Sequence, residues 1–109
     1  MIKQVRKRDE MKPLVAVLIL GYNAKKNIDD CFPNLLTQDY ENYKVWFADN
    51  NSRDGAVEYI EEKYPKVRVL KFKENFGYAG GNNRLMRRAF GKGVDFCLIL
   101  NSDIKVNKD

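Results

Sequence analysis

Three short polar clusters in the sequence carry side chains that could bind a phosphorylated ligand or a metal ion. They are Gly21-Tyr22-Asn23, Asp49-Asn50-Asn51-Ser52 and Asn101-Ser102-Asp103. Asp103 offers the carboxylate oxygen that Mg²⁺ and Mn²⁺ prefer, and Asn101 offers an amide to a ribose or a phosphate. A divalent ion there would bridge a diphosphate and neutralise the charge of a leaving nucleotide. Taken alone, this cluster is better interpreted as a turn that ends a strand.

The second cluster could bind a nucleoside. Asp49, Asn50 and Ser52 offer short donors and acceptors suited to a pyrimidine edge and a ribose hydroxyl. An Asx turn leading to a helix cap at Asp54 is an equally good interpretation, and the two are compatible. The ring of Tyr22 could stack on a base.

Residues 75–83, Asn-Phe-Gly-Tyr-Ala-Gly-Gly-Asn-Asn, predict a glycine-rich turn that opens a helix. Its glycines could let the backbone approach an anionic ligand at the helix N-terminus, although neither the dinucleotide fingerprint nor a P-loop is present. Tyr78 and Trp46 are further candidates to stack on a base, but Trp46 within a strand is better read as core. The arginines that follow, Arg84, Arg87 and Arg88, are better interpreted as a solvated helix face than as a pyrophosphate site.

Apolar runs that alternate with helical stripes predict an α/β fold that positions these clusters. The predicted strands are 14–20, 44–48, 67–72 and 94–100, and the predicted helices are 24–38, 54–64 and one ending near residue 90. The first and last strands are apolar runs typical of buried strands, whereas the third alternates and is expected nearer a sheet edge. This order implies a parallel sheet covered by helices on both faces, with ligands bound beyond the carboxyl ends of the strands.

The composition indicates one soluble globular domain. The chain has 109 residues, of which 44% are hydrophobic and 32% are charged. No apolar run approaches the roughly 20 residues that span a bilayer, so the expected location is cytoplasmic. Because the chain has no histidine, Cys31 and Cys97 do not suggest zinc or a Cys/His pair, and we expect buried, reduced thiols. The net charge of +5 comes without a nucleic-acid-binding pattern, so no nucleic-acid partner is expected.

Residues 1–13 are polar and basic and predict a flexible leader, which leaves residues 14–109 as the folded domain. The basic group Lys3, Arg6, Lys7 and Arg8 could contact anionic lipid head groups and hold the protein at the inner face of the membrane. A plain solvated tail is the better interpretation of these charges.

Together, the order and spacing of these segments resemble the family 2 glycosyltransferases, inverting enzymes of the GT-A fold, and especially their rhamnosyltransferase-like members. The resemblance covers about residues 15–106. It is carried by Leu20-Gly21-Tyr22-Asn23, Gln38-Asp39-Tyr40, residues 49–55, residues 75–83 and Leu100-Asn101-Ser102-Asp103. It implies a Rossmann-like three-layer α/β/α domain with a mostly parallel sheet of about four strands. It also implies transfer of a sugar from a UDP- or dTDP-sugar to a hydroxyl acceptor in cell-surface polysaccharide or glycan synthesis.

The resemblance further implies which residues bind. Asp103 would hold Mn²⁺ or Mg²⁺. The residues that would hold the nucleotide sugar are Leu20, Tyr22, Asn23, Asp49, Asn50, Ser52, Gly80, Asn82, Asn83, Asn101 and Ser102. Asn101 stands where the strict D-x-D motif has its first aspartate, so the metal would depend on one protein carboxylate plus the diphosphate. Leu85 stands where the family commonly has glycine, which concerns helix packing rather than the nucleotide site.

Members of this family continue into a half that binds the acceptor and carries an Asp or Glu general base. None of that follows Asp109, so the sequence predicts a truncated form, without catalytic residues of its own, that binds a nucleotide sugar weakly. The acceptor would be a saccharide or a lipid-linked saccharide. Two alternatives stay open. A nucleotidyltransferase is disfavoured because no basic phosphate loop follows Leu20, and a non-catalytic module would assemble with a second copy through an exposed sheet edge.

Overall fold

The computed structural model describes residues 12–103 as strands and helices that alternate along the chain. In chain order the elements are β1 (Val15–Gly21), α1 (Lys25–Leu35), β2 (Tyr43–Asp49), α2 (Ala56–Lys63), β3 (Arg68–Lys71), α3 (Gly77–Gly91) and β4 (Phe96–Asn101). The predicted α/β fold is therefore confirmed. The basic group at residues 3–8 and the rest of segments 1–11 and 104–109 lie outside the described residues.

All four strands form one parallel sheet in the order β3-β2-β1-β4. The central strand β1 pairs on both sides, with Gly21 opposite Asp49 of β2 and Leu20 opposite Asn101 of β4. Parallel neighbours require a crossover connection, and the three helices provide it. As a result, the carboxyl ends of β1, β2 and β4 meet at one edge of the sheet.

Helices cover both faces of the sheet, which gives the expected three layers. The core beneath α1 and α2 contains Val17, Ile19, Ile28, Cys31, Phe32, Val45, Phe47 and Ile60. The core beneath α3 contains Ala16, Leu18, Trp46, Ala48, Leu85 and Ala89. Successive side chains of β1 point to opposite faces, so burial on both faces explains its continuous apolar run. Leu85 is fully buried and packs α3 onto the sheet. Within residues 12–103, none of the helices has the length and apolar character needed to cross a membrane.

β4 is exposed, and the expectation of a buried strand at 94–100 is wrong. Phe96, Leu98 and Ile99 are 59%, 51% and 37% exposed, respectively. Among the described strands, β4 pairs with β1 alone and forms an edge of the sheet. For the same reason Cys97 is only partly buried, whereas Cys31 is buried as predicted and both thiols are free. The predicted edge position of β3 is confirmed.

Lys12 and Pro13, which the sequence assigns to the leader, already contact the domain. Tyr40 donates its hydroxyl hydrogen bond to the carbonyl of Pro13, and Asn42 donates to the carbonyl of Lys12 at 2.7 Å. The Lys12 ammonium also lies 5.4 Å from the centroid of the Tyr40 ring. These contacts fix the entry of the chain into β1 against the segment that precedes β2.

A hydrogen-bonded cluster around Asp29 ties α1 to α2. The carboxylate accepts hydrogen bonds from the hydroxyl of Tyr59, from the hydroxyl of Tyr64 at 2.6 Å and from the ammonium of Lys63 at 3.1 Å. These bonds, led by that of Tyr59, favour the charged form and lower the pKa of Asp29 to about 2. Burial, followed by the bond to Asp29, raises the pKa of Tyr64 to about 12.

We expect this cluster to make the folded state sensitive to acid. Because the pKa of Asp29 is lower in the folded chain than its ordinary value of 3.8, its contribution is complete above 3.8 and is lost as the pH falls toward about 2. A carbon-13 NMR titration of the Asp29 carboxyl should give a midpoint near 2. Tyr59→Phe should raise that midpoint, since it removes the largest contribution. A midpoint at 3.8 in the parent chain would rule the cluster out.

Position 21, at the end of β1, requires glycine because the neighbouring strand leaves no space there for a side chain. A Cβ atom at position 21 would lie 2.6 Å from Cζ of Phe47. The Phe47 ring is 1% exposed within the core beneath α1 and α2, so it cannot withdraw without disturbing its neighbours. The close contact brings the end of β1 against β2 at the edge where the polar clusters meet.

Gly21→Ala should therefore destabilise the chain by overpacking, at a cost of about 1–3 kcal/mol in the free energy of unfolding. Gly91→Ala is the matched control, because a Cβ atom there would meet nothing within 4 Å. The control should raise the free energy of unfolding by roughly 0.4–1 kcal/mol. Urea denaturation measures both changes, and equal effects of the two substitutions would contradict the contact with Phe47.

Candidate functional site

The carboxyl ends of β1 and β4 open onto a cleft of about 390 Å³. Its lining consists of Leu20, Tyr22, Asn23, Ala24, Lys26, Asn27, Tyr78, Asn101, Ser102 and Asp103. The first and third clusters of the sequence analysis thus share one site, although they are about 80 residues apart in the chain. The volume lies within the roughly 300–1,000 Å³ that small-ligand sites occupy.

The β4 end of the cleft combines an amide with a carboxylate. Asn101 and Asp103 are exposed, and Ser102 between them is partly buried. Tyr78 donates its hydroxyl hydrogen bond to Oδ1 of Asn101 at 3.3 Å. This bond engages the amide oxygen and leaves the amide N–H groups to donate to a ligand oxygen. Asn101 is therefore suited to a phosphate or a hydroxyl, and Asp103 to a cation.

Asp103 fits a divalent ion that is held largely by its ligand. Residues 12–103 contain no group of three or more His, Cys, Asp or Glu side chains that could hold a metal ion. Mg²⁺ is commonly bound through one or two carboxylates plus substrate phosphates, and it keeps several waters. A single exposed carboxylate beside donors for a diphosphate meets that requirement.

Two exposed aromatic rings flank this polar end. Tyr22 and Tyr78 are 54% and 63% exposed, and both line the cleft. Rings of this kind offer an apolar face for stacking and a hydroxyl for hydrogen bonding. Trp46, in contrast, is buried beneath α3, and the guanidinium of Arg68 lies 5.4 Å from its ring centroid. The core interpretation of Trp46 is therefore confirmed.

The first two residues of the second predicted cluster, Asp49 and Asn50, are turned into the protein rather than into the cleft. Asp49 is fully buried, and its Oδ2 accepts a hydrogen bond from the N–H of Ser52 at 2.8 Å. Asn50 is 3% exposed; its Oδ1 accepts from the N–H of Phe76 at 3.0 Å, and its Nδ2 donates to the carbonyl of Gly77 at 3.1 Å. The Asn50 amide therefore fastens the start of α3 to the end of β2. Oδ1 of Asp49 has no partner among the described residues.

The loops after β1 and β2 are bonded to each other at the rim of the cleft. The N–H of Asn23 donates to Oγ of Ser52 at 2.8 Å, and Oδ1 of Asn23 accepts from the N–H of Arg53 at 2.9 Å. Ser52 does not line the cleft. It contributes instead by holding Asn23, which does line it.

Asp54 caps two helices with one carboxylate. Its Oδ2 accepts from the N–H of Lys25 at 2.9 Å, at the start of α1, and its Oδ1 accepts from the N–H of Ala56 at 3.1 Å, at the start of α2. A negative charge beside two helix N-termini is favourable because unpaired N–H groups and the positive dipole ends meet there. The cap on α2 was predicted, whereas the one on α1 depends on the tertiary fold.

The glycine-rich segment is helical, and the prediction of a turn over residues 75–83 is wrong for most of its length. α3 already begins at Gly77. A Cβ atom at Gly81 would lie 2.7 Å from Cδ1 of Leu20, so this glycine permits close packing of α3 on β1. That packing places Leu20 between the helix and the cleft.

The remaining residues of this segment that were predicted to bind do not line the cleft. Gly80 and Asn83 lie along α3, and Asn82 is 4% exposed with no described partner for either amide atom. The cleft instead takes Ala24, Lys26 and Asn27 from around the first turn of α1. Lys26 adds a positive charge there. The signal that could have found it is the Lys25-Lys26 pair directly after the first polar cluster.

A separate depression of about 500 Å³ lies beside the cleft. Its lining consists of Asn23, Lys25, Lys26, Asp29, Asp54 and Tyr59. In this depression the carboxylate of Asp29 already accepts a hydrogen bond from Tyr59, and the carboxylate of Asp54 already caps the starts of α1 and α2. The cleft at β1 and β4 is therefore the better candidate site, because its carboxylate, that of Asp103, is exposed and is not used for a helix cap or for the cluster around Asp29.

Asn50→Ala should lower the free energy of unfolding by about 2 kcal/mol, because two largely buried hydrogen bonds to the start of α3 are lost at about 1 kcal/mol each. Asn83→Ala is the matched control, since Asn83 is exposed on α3, and it should leave stability unchanged or slightly higher. Chemical denaturation distinguishes the two. An unchanged stability of Asn50→Ala would mean that Asn50 does not fasten α3.

Sequence comparison identifies relatives over nearly the whole chain. The model of the family described as "Glycosyl transferase family 2" matches residues 16–109. A putative teichuronic acid biosynthesis glycosyltransferase, TuaG, of Bacillus subtilis is 34% identical over 90% of this chain and 39% of the relative. The UDP-Glc:alpha-D-GlcNAc-diphosphoundecaprenol beta-1,3-glucosyltransferase WfaP of Escherichia coli is 32% identical over 83% of this chain and 35% of the relative. The chain thus spans about two fifths or less of these proteins.

Solved structures share the fold. TarS 1-349 of S. aureus in complex with UDP superposes with a TM-score of 0.76 at 25% identity, over 88% of this chain and 29% of that one. The mannosyltransferase PcManGT from Pyrobaculum calidifontis, in complex with GDP-Man and Mn²⁺, gives a TM-score of 0.73 at 26% identity, over 85% of this chain and 28% of that one. The GT-A type of α/β fold is therefore confirmed.

Proposed function

The chain belongs to glycosyl transferase family 2, and on that premise we propose that its cleft binds the nucleotide end of a nucleotide-sugar donor. The whole protein would transfer the sugar to a hydroxyl acceptor. The observation that carries the proposal is the convergence of Tyr22, Asn23, Asn101 and Asp103 on one cleft at the carboxyl edge of the sheet. Family membership also argues against the nucleotidyltransferase alternative.

Each part of the cleft suits a different part of such a donor. The exposed rings of Tyr22 and Tyr78 can stack on the base, and the amide N–H groups of Asn101 can donate to diphosphate oxygens. Lys26 supplies a positive charge on the α1 side. Asp103 would hold Mn²⁺ or Mg²⁺, and the ion would neutralise charge on the diphosphate as the nucleotide leaves. TarS with UDP-GlcNAc and PcManGT with GDP-Man and Mn²⁺ support this class of ligand.

Asp49 and Asn50 take different roles in this proposal. Both polar atoms of the Asn50 amide bond within the protein, so Asn50 positions α3 rather than contacting the donor. Asp49 keeps one carboxylate oxygen without a described partner. Because Asp49 is fully buried and does not line the cleft, the proposal assigns it no direct contact with the donor.

We propose UDP- or dTDP-sugars as donors and a saccharide or lipid-linked saccharide of a cell-surface polymer as the acceptor. The names of two relatives support this: one refers to teichuronic acid biosynthesis and the other to a diphosphoundecaprenol-linked acceptor. Sugar transfer is proposed for the whole protein, because the chain covers 39% of the first of these relatives.

Thermal unfolding with UDP, dTDP and GDP, each with and without Mn²⁺, tests donor binding by the 109-residue chain. A ligand at 100 times its dissociation constant adds about 2.7 kcal/mol, which corresponds to a rise of roughly 10–20 °C in Tm for a domain of this size. We expect UDP or dTDP with Mn²⁺ to give the largest rise. The proposal fails if no nucleotide raises Tm.

Asp103→Asn should abolish the Mn²⁺-dependent part of the shift, because it removes the carboxylate charge at nearly constant size. Asp30→Asn is the matched control: Asp30 is exposed on α1 and does not line the cleft, so its substitution should leave the shift intact. If Asp103→Asn keeps the full Mn²⁺ effect while UDP still binds, the metal assignment is wrong and nucleotide binding stands.

A further inference from the structure

The exposed side of α3 carries a concentration of positive charge that the proposed donor site does not use. Arg84, Arg87 and Arg88 are spaced by three and four residues and therefore share one face of the helix. Together with Gly91 and Lys92 they line a shallow depression of about 280 Å³. We refer to the four cationic side chains Arg84, Arg87, Arg88 and Lys92 as the basic face.

The positive charge of the basic face is not neutralised locally. α3 contains no Asp or Glu between Gly77 and Gly91. Within residues 12–103, no ion pair involves any of the four cations. The helix C-terminus contributes roughly half a negative charge near Lys92, which four full positive charges outweigh. The surface therefore favours a polyanionic partner.

Arg84 is held in position before any partner arrives. Its guanidinium lies 3.6 Å from the centroid of the Phe76 ring, and it donates a hydrogen bond to the carbonyl of Gly80 at 3.2 Å. A stacked, hydrogen-bonded arginine loses less side-chain freedom on binding than a free one, which lowers the entropic cost of binding a phosphate.

An apolar side chain accompanies the cations. Phe90 lies three residues after Arg87, so it borders the basic face on the side of Arg87, and it is 49% exposed. Arginines beside an exposed aromatic ring on one helix are typical of surfaces that lie in the head-group region of a bilayer, where phosphates pair with the guanidinium groups and the ring enters the acyl boundary. A free nucleotide is a poorer match, because the depression is shallow and shares no lining residue with the cleft.

We propose that the basic face docks the protein on a bilayer rich in anionic phospholipid. Tyr78, at the cleft, and Arg88, in the basic face, are ten residues apart on α3, which separates them by about 15 Å along the helix axis. Docking through the far end of α3 therefore leaves the cleft open to a soluble ligand. The surface is made by folding and is distinct from the basic group at residues 3–8.

Co-sedimentation of the 109-residue chain with vesicles tests this surface. The parent chain should bind mixed phosphatidylcholine–phosphatidylglycerol vesicles at low salt and should not bind pure phosphatidylcholine vesicles. The triple variant Arg84→Gln, Arg87→Gln, Arg88→Gln should bind the anionic vesicles about a hundredfold more weakly, since each basic residue near such a surface contributes about fivefold. Circular dichroism establishes that the variants are folded.

The matched control removes the same charge elsewhere. Lys44, Lys66 and Lys73 are exposed and lie outside α3, so Lys44→Gln, Lys66→Gln, Lys73→Gln should weaken binding by less than about fivefold. Equal losses in the two triple variants would show that net charge alone drives binding and would overturn the proposal. The proposal would also be overturned if the arginine variant bound as strongly as the parent, because the leader would then be the membrane contact. Equal binding of the parent to neutral and anionic vesicles would overturn it as well.

A fourth variant tests the apolar contribution. At salt concentrations high enough to screen the arginines, the Phe90→Ser variant should dissociate from anionic vesicles that still retain the parent chain. Unchanged retention of Phe90→Ser under those conditions would remove Phe90 from the docking surface and contradict the proposal in this form.

Discussion

The backbone pairing of β1 between β2 and β4 is the constraint on which the rest of the molecule depends. Both neighbours run parallel to β1, in a register that sets Gly21 beside Asp49 and Leu20 beside Asn101. Because β1 is covered by a core on each face, its own side chains must be apolar. Polar chemistry is therefore possible only beyond its end, in the loops that this register brings to a common edge.

At that edge, side chains of similar type have two different roles. Asn50 and Asp54 face the protein and form hydrogen bonds with backbone groups at the starts of helices. Asn101 and Asp103 stay exposed and keep donors and acceptors for a ligand. The first kind makes the second useful, because an exposed amide or carboxylate binds well only when the backbone that carries it is fixed. A cleft of this type depends as much on its inward-facing amides as on its exposed ones.

The strands, the helices and the two polar clusters of the cleft followed from sequence, because apolar periodicity and turn residues are local signals. Three features depended on tertiary structure instead. The run 94–100 is as apolar as 14–20, yet its exposure is decided by which elements cover it. Asn50 and Asn101 are chemically alike, and only the position of α3 turns one inward. Gly77, Gly80 and Gly81 disfavour a helix, but tertiary packing such as that of Gly81 on Leu20 outweighs that preference.

The double cap at Asp54 links the starts of α1 and α2, which the cluster around Asp29 joins farther along. Fraying of the first turn of α1 leaves one oxygen of the carboxylate without its partner, which weakens the geometry at the first turn of α2, and the reverse is equally true. We therefore expect the two helix ends to loosen together in local unfolding. Asn23, Ser52 and Arg53 join the same two loops by further bonds, so we expect loosening of either helix start to weaken the rim of the cleft as well.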